Sequence, residues 1–176
     1  GRLSGGGGTD DRFEYAGLVN YFDNDLQISA LGGGNNINSP GFSFGEIEKM
    51  FGGARSISVS STGAFSVNGR SFGFGSGIIN SRTGGLNFAD SWGKTSEISA
   101  DYFYSGSNNY EETQRERENI FPDSRYFTES YSKTEGNTDR HQANMKFTTK
   151  PDTTWFIDAM PSFSYTKAEN SYESNS

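Results

Sequence analysis

Few side chains in this chain have a type and spacing suited to chemistry. His141 is the single histidine and there is no cysteine, so no multi-histidine or thiolate metal site can be built, and no nucleophile-base pair stands beside it. Glu111, Glu112, Glu116 and Glu118 offer carboxylates for a hard cation. The interleaved Arg115 and Arg117 repel one, and the spacing does not fit a twelve-residue calcium loop, so the run reads as a solvated mixed-charge strand. Asp152 and Asp158 stand isolated. Gly69-Arg70-Ser71-Phe72-Gly73-Phe74-Gly75-Ser76-Gly77 brings backbone amides within reach of a phosphate, but it lacks the Lys-Ser/Thr ending and no helix pattern follows. It reads as a flexible or short-strand excursion. No catalytic, cofactor or metal site is expected, and the chain does not read as an enzyme. What remains for ligand contact is an alternating polar set, Arg140, Gln142, Asn144 and Lys146.

Composition limits what can hold such residues in place. Leu, Ile, Val and Phe make up about 18% of the 176 residues and the net charge is -7, below the roughly 20% line that flags disorder. Aromatics, however, are 15% of the chain, which disordered chains are not. Too few aliphatics are present to fill a dry soluble core, and 23 glycines argue against a helical bundle. The acidic balance with scattered Lys and Arg argues against nucleic acid as a partner. No apolar run reaches 18 residues, and the first residues form no signal peptide. The polar ends lead to the expectation of an internal piece of a longer chain.

Period-2 alternation is the dominant signal. Ser96, Ile98, Ala100, Tyr102 and Tyr104 oppose Glu97, Ser99, Asp101, Phe103 and Ser105. Phe13, Tyr15, Gly17, Val19 and Tyr21 form one face of an earlier segment, and Leu26, Ile28 and Ala30 one face of the next. His141, Ala143, Met145 and Phe147 oppose the Arg140 set, and Trp155, Ile157, Ala159, Pro161, Phe163 and Tyr165 share the last apolar register. Pro161 lacks an N–H and predicts a bulge or an unpaired position. Expected strands cover about 12–22, 26–34, 78–90, 95–106, 138–149 and 154–168, with long polar loops at about 35–77 and 107–137. Inside the first loop, Ser43 three residues before Glu46, with Ile47, Met50 and Phe51 at helical spacing, predicts a short capped helix. Its function would be loop packing, or a lid or partner contact.

Short turns at Asp23-Asn24-Asp25, Asp90-Ser91-Trp92-Gly93-Lys94 and Lys150-Pro151-Asp152-Thr153 alternate with the long loops. The fold class this predicts is all-β, an antiparallel meander forming part of a transmembrane β-barrel wall. A barrel needs only an apolar belt against lipid and keeps a wet interior, which reconciles the composition. Tyr21, Trp92 and Trp155 beside the short turns would form an interfacial girdle, and His141 would sit near the outer interface.

The segments Leu18-Val19-Asn20-Tyr21-Phe22, Gly34-Asn35-Asn36-Ile37-Asn38, Gly41-Phe42-Ser43-Phe44, Gly84-Gly85-Leu86-Asn87-Phe88 and Pro161-Ser162-Phe163-Ser164-Tyr165, in this order, resemble the barrel of TonB-dependent receptor-like outer-membrane proteins of Bacteroidota. The resemblance implies a bacterial outer-membrane location, a barrel of many more strands, a plug domain, energy coupling through TonB, contact with outer-membrane lipid, a possible surface lipoprotein partner, and uptake of a bulky nutrient. On that reading Arg140, Gln142, Asn144 and Lys146 line the lumen. A surface adhesin or β-rich structural protein without transport activity is the competing expectation.

Overall fold

The structure, a computed structural model, describes residues 1–51, 56–61, 63–73, 78–93, 95–121 and 124–175. It is a mostly β, antiparallel meander. Strands β1 (Arg2–Gly7), β2 (Phe13–Asp23) and β3 (Leu26–Asn35) are followed by an inserted unit made of α1 (Phe44–Met50), β4 (Ile57–Val59), β5 (Phe65–Val67) and β6 (Arg70–Phe72). The chain then returns through β7 (Ile78–Trp92), β8 (Ser96–Phe121), β9 (Ser124–Thr149), β10 (Ile157–Ala159) and β11 (Ser162–Asn175). The main sheet runs β1-β2-β3-β7-β8-β9-β10, with β11 also on β9, and β4-β5-β6 form a small sheet of their own. Among the described residues β1 and β11 each pair on one side only, so the sheet is open.

Register aligns the separate alternations onto common faces. Val19, Ala30, Leu86, Tyr102, Ala143 and Phe163 are successive cross-strand partners over six strands, and Tyr21, Ile28, Phe88, Ala100 and Met145 form the next row. Ile98, Phe147 and Ala159 extend the apolar face toward the short turns. In the other direction a row of Gly17, Gly32, Gly84, Tyr104, His141 and Tyr165 precedes a polar row of Arg82, Gly106, Asp139 and Lys167. This face is open to the surroundings: Val19 is 63% exposed, Leu86 56% and Phe163 60%.

The opposite face carries the core. Ala16 and Leu18 of β2, Leu31 of β3 and Phe103 of β8 pack against Phe42, Ile47, Met50, Phe51, Phe65, Val67 and Phe72 of the insertion. Asn35 turns the chain back onto this face. Its amide donates to the Ser39 carbonyl over 2.7 Å, and its side-chain oxygen accepts from the Ile37 and Ser39 amides. Space for the seat comes from glycine at Gly33 and Gly85, where a Cβ would lie 3.0 Å from the Phe42 ring and 3.1 Å from the Phe51 ring.

Several expectations need correction. In the expected loop at 35–77 the described residues form α1, β4, β5 and β6, and Phe42, Phe51, Phe65 and Phe72 pack this unit onto the sheet. The expected helix is present, with Ser43 and Glu46 forming a capping box, and its apolar stripe is spent on the core, Ile47 being fully buried. In place of the expected loop at 107–137, strand extends well beyond the mixed-charge run Glu111 to Glu118 that reads as one in the sequence. β8 and β9 stay paired from Ser96 with Thr149 out to Phe121 with Ser124, and residues 122–123 lie outside the described residues. This arm is exposed on both faces over most of its length, so no hydrophobic alternation marks it as strand; its ladder and cross-strand polar pairs hold it. β1 was not expected, because Gly5, Gly6 and Gly7 leave no side-chain pattern to read. The last expected strand, 154–168, is two. Ala159 pairs Phe147 and Ser162 pairs Asn144 in one continuous register. Pro161 therefore marks an unpaired position and no bulge; its carbonyl accepts from the Met145 amide over 3.0 Å.

Candidate functional site

The site is the seam between the inserted unit and the polar face of β7, β8 and β9. Strand pairing fixes which side chains meet there. Phe103 pairs Gln142 and Asp101 pairs Asn144 across β8 and β9, so Arg140, Gln142, Asn144 and Lys146 all stand on the face that carries the insertion. The small sheet brings Arg70 to them, after a turn at Asn68 and Gly69 whose φ values of 51° and 79° lie in the left-handed region.

Arg70 is 3% exposed. Its Nη2 is paired with Asp101 Oδ2, the same oxygen that accepts from Asn144 Nδ2 at 3.0 Å. Its guanidinium carbon lies 4.2 Å from the centre of the Phe51 ring. The cost of burying this charge is offset by its pairing with Asp101 and its stacking on Phe51. Arg70 Nε and Gln142 Oε1 in this seam are buried without a partner.

Beside the ion pair is an open cleft of about 510 Å³ lined by Gln27, Asn68, Asn87, Gln142 and Asn144 with Lys49 at its rim. Nearer the arm, a smaller cavity of about 210 Å³ includes Arg140, Ser105 and Ser107. Lys146 is exposed on the same face. The structure thus brings Gln142 and Asn144 together at the Arg70–Asp101 pair, with Arg140 and Lys146 displaced along the strand to either side. Neutral amides and one paired charge can hydrogen-bond a polar solute, but they offer no general base aligned with a nucleophile.

The other chemistry-bearing residues are used locally. His141 Nδ1 is 2.7 Å from the Tyr102 hydroxyl on the exposed face. Asp152 caps its turn by accepting from the Thr154 and Trp155 amides at 2.7 and 2.9 Å, which holds its carboxyl below the usual range. Asp158 accepts from Thr148 Oγ1 at 3.1 Å. Glu118 meets Arg125 at 3.6 Å across the arm, and among the described residues no group of three or more acidic or histidine side chains is arranged to hold a metal. Phe74, Gly75, Ser76 and Gly77 of the glycine-rich run lie outside the described residues.

Sequence reasoning did not find Arg70 or Asp101. In the sequence Arg70 stands within a glycine-rich run and its partner is 31 positions away, so only the fold pairs them. Comparison with known proteins adds nothing to this geometry: no family model, no curated protein and no solved structure matches the chain.

Proposed function

We propose that this chain is part of the wall of a bacterial outer-membrane β-barrel of the TonB-dependent receptor type, taking part in uptake of a bulky nutrient. The observation that carries this reading is the exposed apolar face that runs in register over β2, β3, β7, β8, β9 and β11, back to back with a face that the inserted unit covers along β2 and β3 and that is polar along β9. From Ser96, beside the short turn, to Gly106 in the charged row is ten strand positions, about 33 Å of strand at 3.3 Å each. Tilted by the usual 35–45°, that spans about 25 Å, the height of a lipid-facing belt.

Other features agree with it. Tyr21, Trp92 and Trp155 are all exposed beside the short turns, and Trp92 Nε1 donates to Asp90 Oδ2 at 2.9 Å, an apolar ring with an anchored polar edge suited to an interface. The charged row of Arg82, Asp139 and Lys167 bounds the belt at the opposite end, where the arm begins. No helix among the described residues is long and apolar enough to cross a membrane, so spanning would fall to strands.

In this reading outer-membrane lipid covers the apolar face, and further strands of the parent barrel pair with β1 and β11. The arm and the amide-lined cleft meet the ligand. Release driven through a plug and TonB, with or without a surface lipoprotein, belongs to the parent receptor. The test is a pair of charges at adjacent positions. Ile98→Arg puts a cation against lipid and should sharply reduce the folded protein recovered in the outer membrane, whereas Ser99→Arg faces the wet side and should leave it near normal. Equal recovery of the two variants, or recovery of the unaltered chain as a soluble monomer, overturns the proposal.

A further inference from the structure

The arm sorts its charges by face. β8 and β9 keep one register along their whole length, with no bulge, so the odd positions of β8 and the even positions of β9 stay on the face that carries the inserted unit. Along the arm that face presents Arg115 and Arg117, both exposed, opposite the neutral Ser130 and Thr128. Glu111 is its one carboxylate among the described residues. Glu112, Glu116, Glu118, Glu129 and Glu135 all stand on the other face, where Arg125 and Lys133 pair with Glu118 and Glu135.

This sorting works against the hairpin itself. Glu116 and Glu129 are direct cross-strand partners, and like charges so placed are destabilising. Arg115 and Arg117 have no carboxylate across the strand, and among the described residues neither forms an ion pair. A hairpin held only by its own pairs gains from interleaved signs. The chain carries -7 overall, yet this stretch of face is basic, and its arginines are left for an anion from outside.

Spacing narrows which anion fits. Arg115 and Arg117 are two positions apart, about 6.8 Å at 3.4 Å each. An extended peptide repeats the side chains of one face at the same interval, so acidic residues at alternate positions meet the two guanidinium groups one to one. Four positions beyond Arg117, on the same face, Phe121 and Tyr126 stack with ring centres 5.7 Å apart and planes inclined by 14°. Both rings are half exposed, a seat for an apolar side chain farther along the same peptide.

We propose that this face of the arm captures acidic peptide in extended form, its carboxylates on Arg115 and Arg117 and an apolar side chain on the Phe121–Tyr126 pair. The acidic opposite face repels the same ligand, so capture is confined to the side that leads past Arg140 to the amide-lined cleft. That the captured peptide is the nutrient taken up rests on the wall reading above; the capture itself does not.

The probe is a fluorescein-labelled peptide, Glu-Ser-Glu-Ser-Ser-Ser-Trp, compared with its Lys-for-Glu counterpart by fluorescence anisotropy on the full chain in detergent. The acidic peptide should bind, more weakly as salt rises, and the basic one should not. Arg115→Glu with Arg117→Glu should lower affinity for the acidic peptide about tenfold and turn the preference to the basic one, a gain that a misfolded arm does not give. Glu116→Gln, on the other face, should leave binding within about twofold, and Tyr126→Ala should remove the advantage of the Trp-ended peptide over a Ser-ended one. Equal binding of the two peptides, unchanged affinity in the double variant, or tighter binding of an oligogalacturonate of equal charge overturns the proposal. Selective binding by a chain that never enters the outer membrane keeps the capture and removes the wall reading instead.

Discussion

The Tyr104 hydroxyl donates to Asp139 Oδ1 over 2.7 Å, joining the last aromatic row of the exposed face to the first charged one. Below this contact lie the apolar rows; beyond it β8 and β9 continue as an arm wet on both faces. Two regimes of one hairpin meet at this pair, and different forces hold each.

β7 ends opposite Tyr110, and beyond it β8 pairs with β9 alone among the described residues. Replacing residues 114–131 by a two-residue turn between the register partners Thr113 and Ser132 should leave assembly of the remaining sheet unchanged. Protease resistance of residues 13–35 in membrane vesicles is the check, and a loss there would mean that the arm supports the sheet.

Phe103 is fully buried at the centre of the aromatic cluster. Phe103→Ala should cost about 3–5 kcal/mol. The loss should be read as early protease cutting of residues 56–73, while the exposed face keeps its pairing.

Glycine at position 85 is a packing requirement, and glycine at 84 is not. A Cβ on Gly85 would come within 3.1 Å of both Leu31 and Phe51, whereas one on Gly84 meets nothing within 4 Å. Gly85→Val should loosen the inserted unit by about 1–3 kcal/mol and Gly84→Val much less, compared by the denaturant midpoints of the two variants.

The α1 cap gives the insertion a pH dependence. Burial pushes the Glu46 carboxyl up, but the Ser43 amide, the Arg2 guanidinium and the Ser43 hydroxyl together outweigh it and hold the group below its ordinary value of 4.5. A carboxylate lowered in the folded state stabilises above its unfolded pKa and loses that contribution as pH falls through the folded one. Protection of residues 43–51 against hydrogen exchange should fall below about pH 4.5. Glu46→Gln should flatten the dependence, and Ser43→Ala should cost about 1 kcal/mol at neutral pH. Arg2 is half exposed, so its share is small.

What the sequence made legible was whatever imposes a period or a cap. Ile98, Ala100, Tyr102 and Tyr104 declared one face, Ser43 and Glu46 declared a helix start, and Pro161 an interruption. Alternation within each strand does not state the register between strands, yet strand pairing aligns the five apolar sets, with β7 between them, onto one surface. Of the arm only the mixed-charge run from Glu111 to Glu118 reads as strand, because elsewhere polar residues on both faces leave no contrast to detect. Gln142 and Asn144 were assigned to the polar face from their spacing alone, but Arg70 and Asp101 depend on a contact between units distant along the chain. Local pattern carries no trace of such a pair.

The length of that arm is also a ruler. From Gly106 to Phe121 the strand advances 15 positions, about 50 Å at 3.4 Å each. The exposed aromatics near its tip, Phe121, Tyr126 and Phe127, are thereby held at a set height above the charged row. Adding one residue to each strand would exchange their faces, whereas adding two would keep the faces and raise the tip by about 7 Å. Reach and orientation can therefore vary separately, the first in steps of two and the second in steps of one.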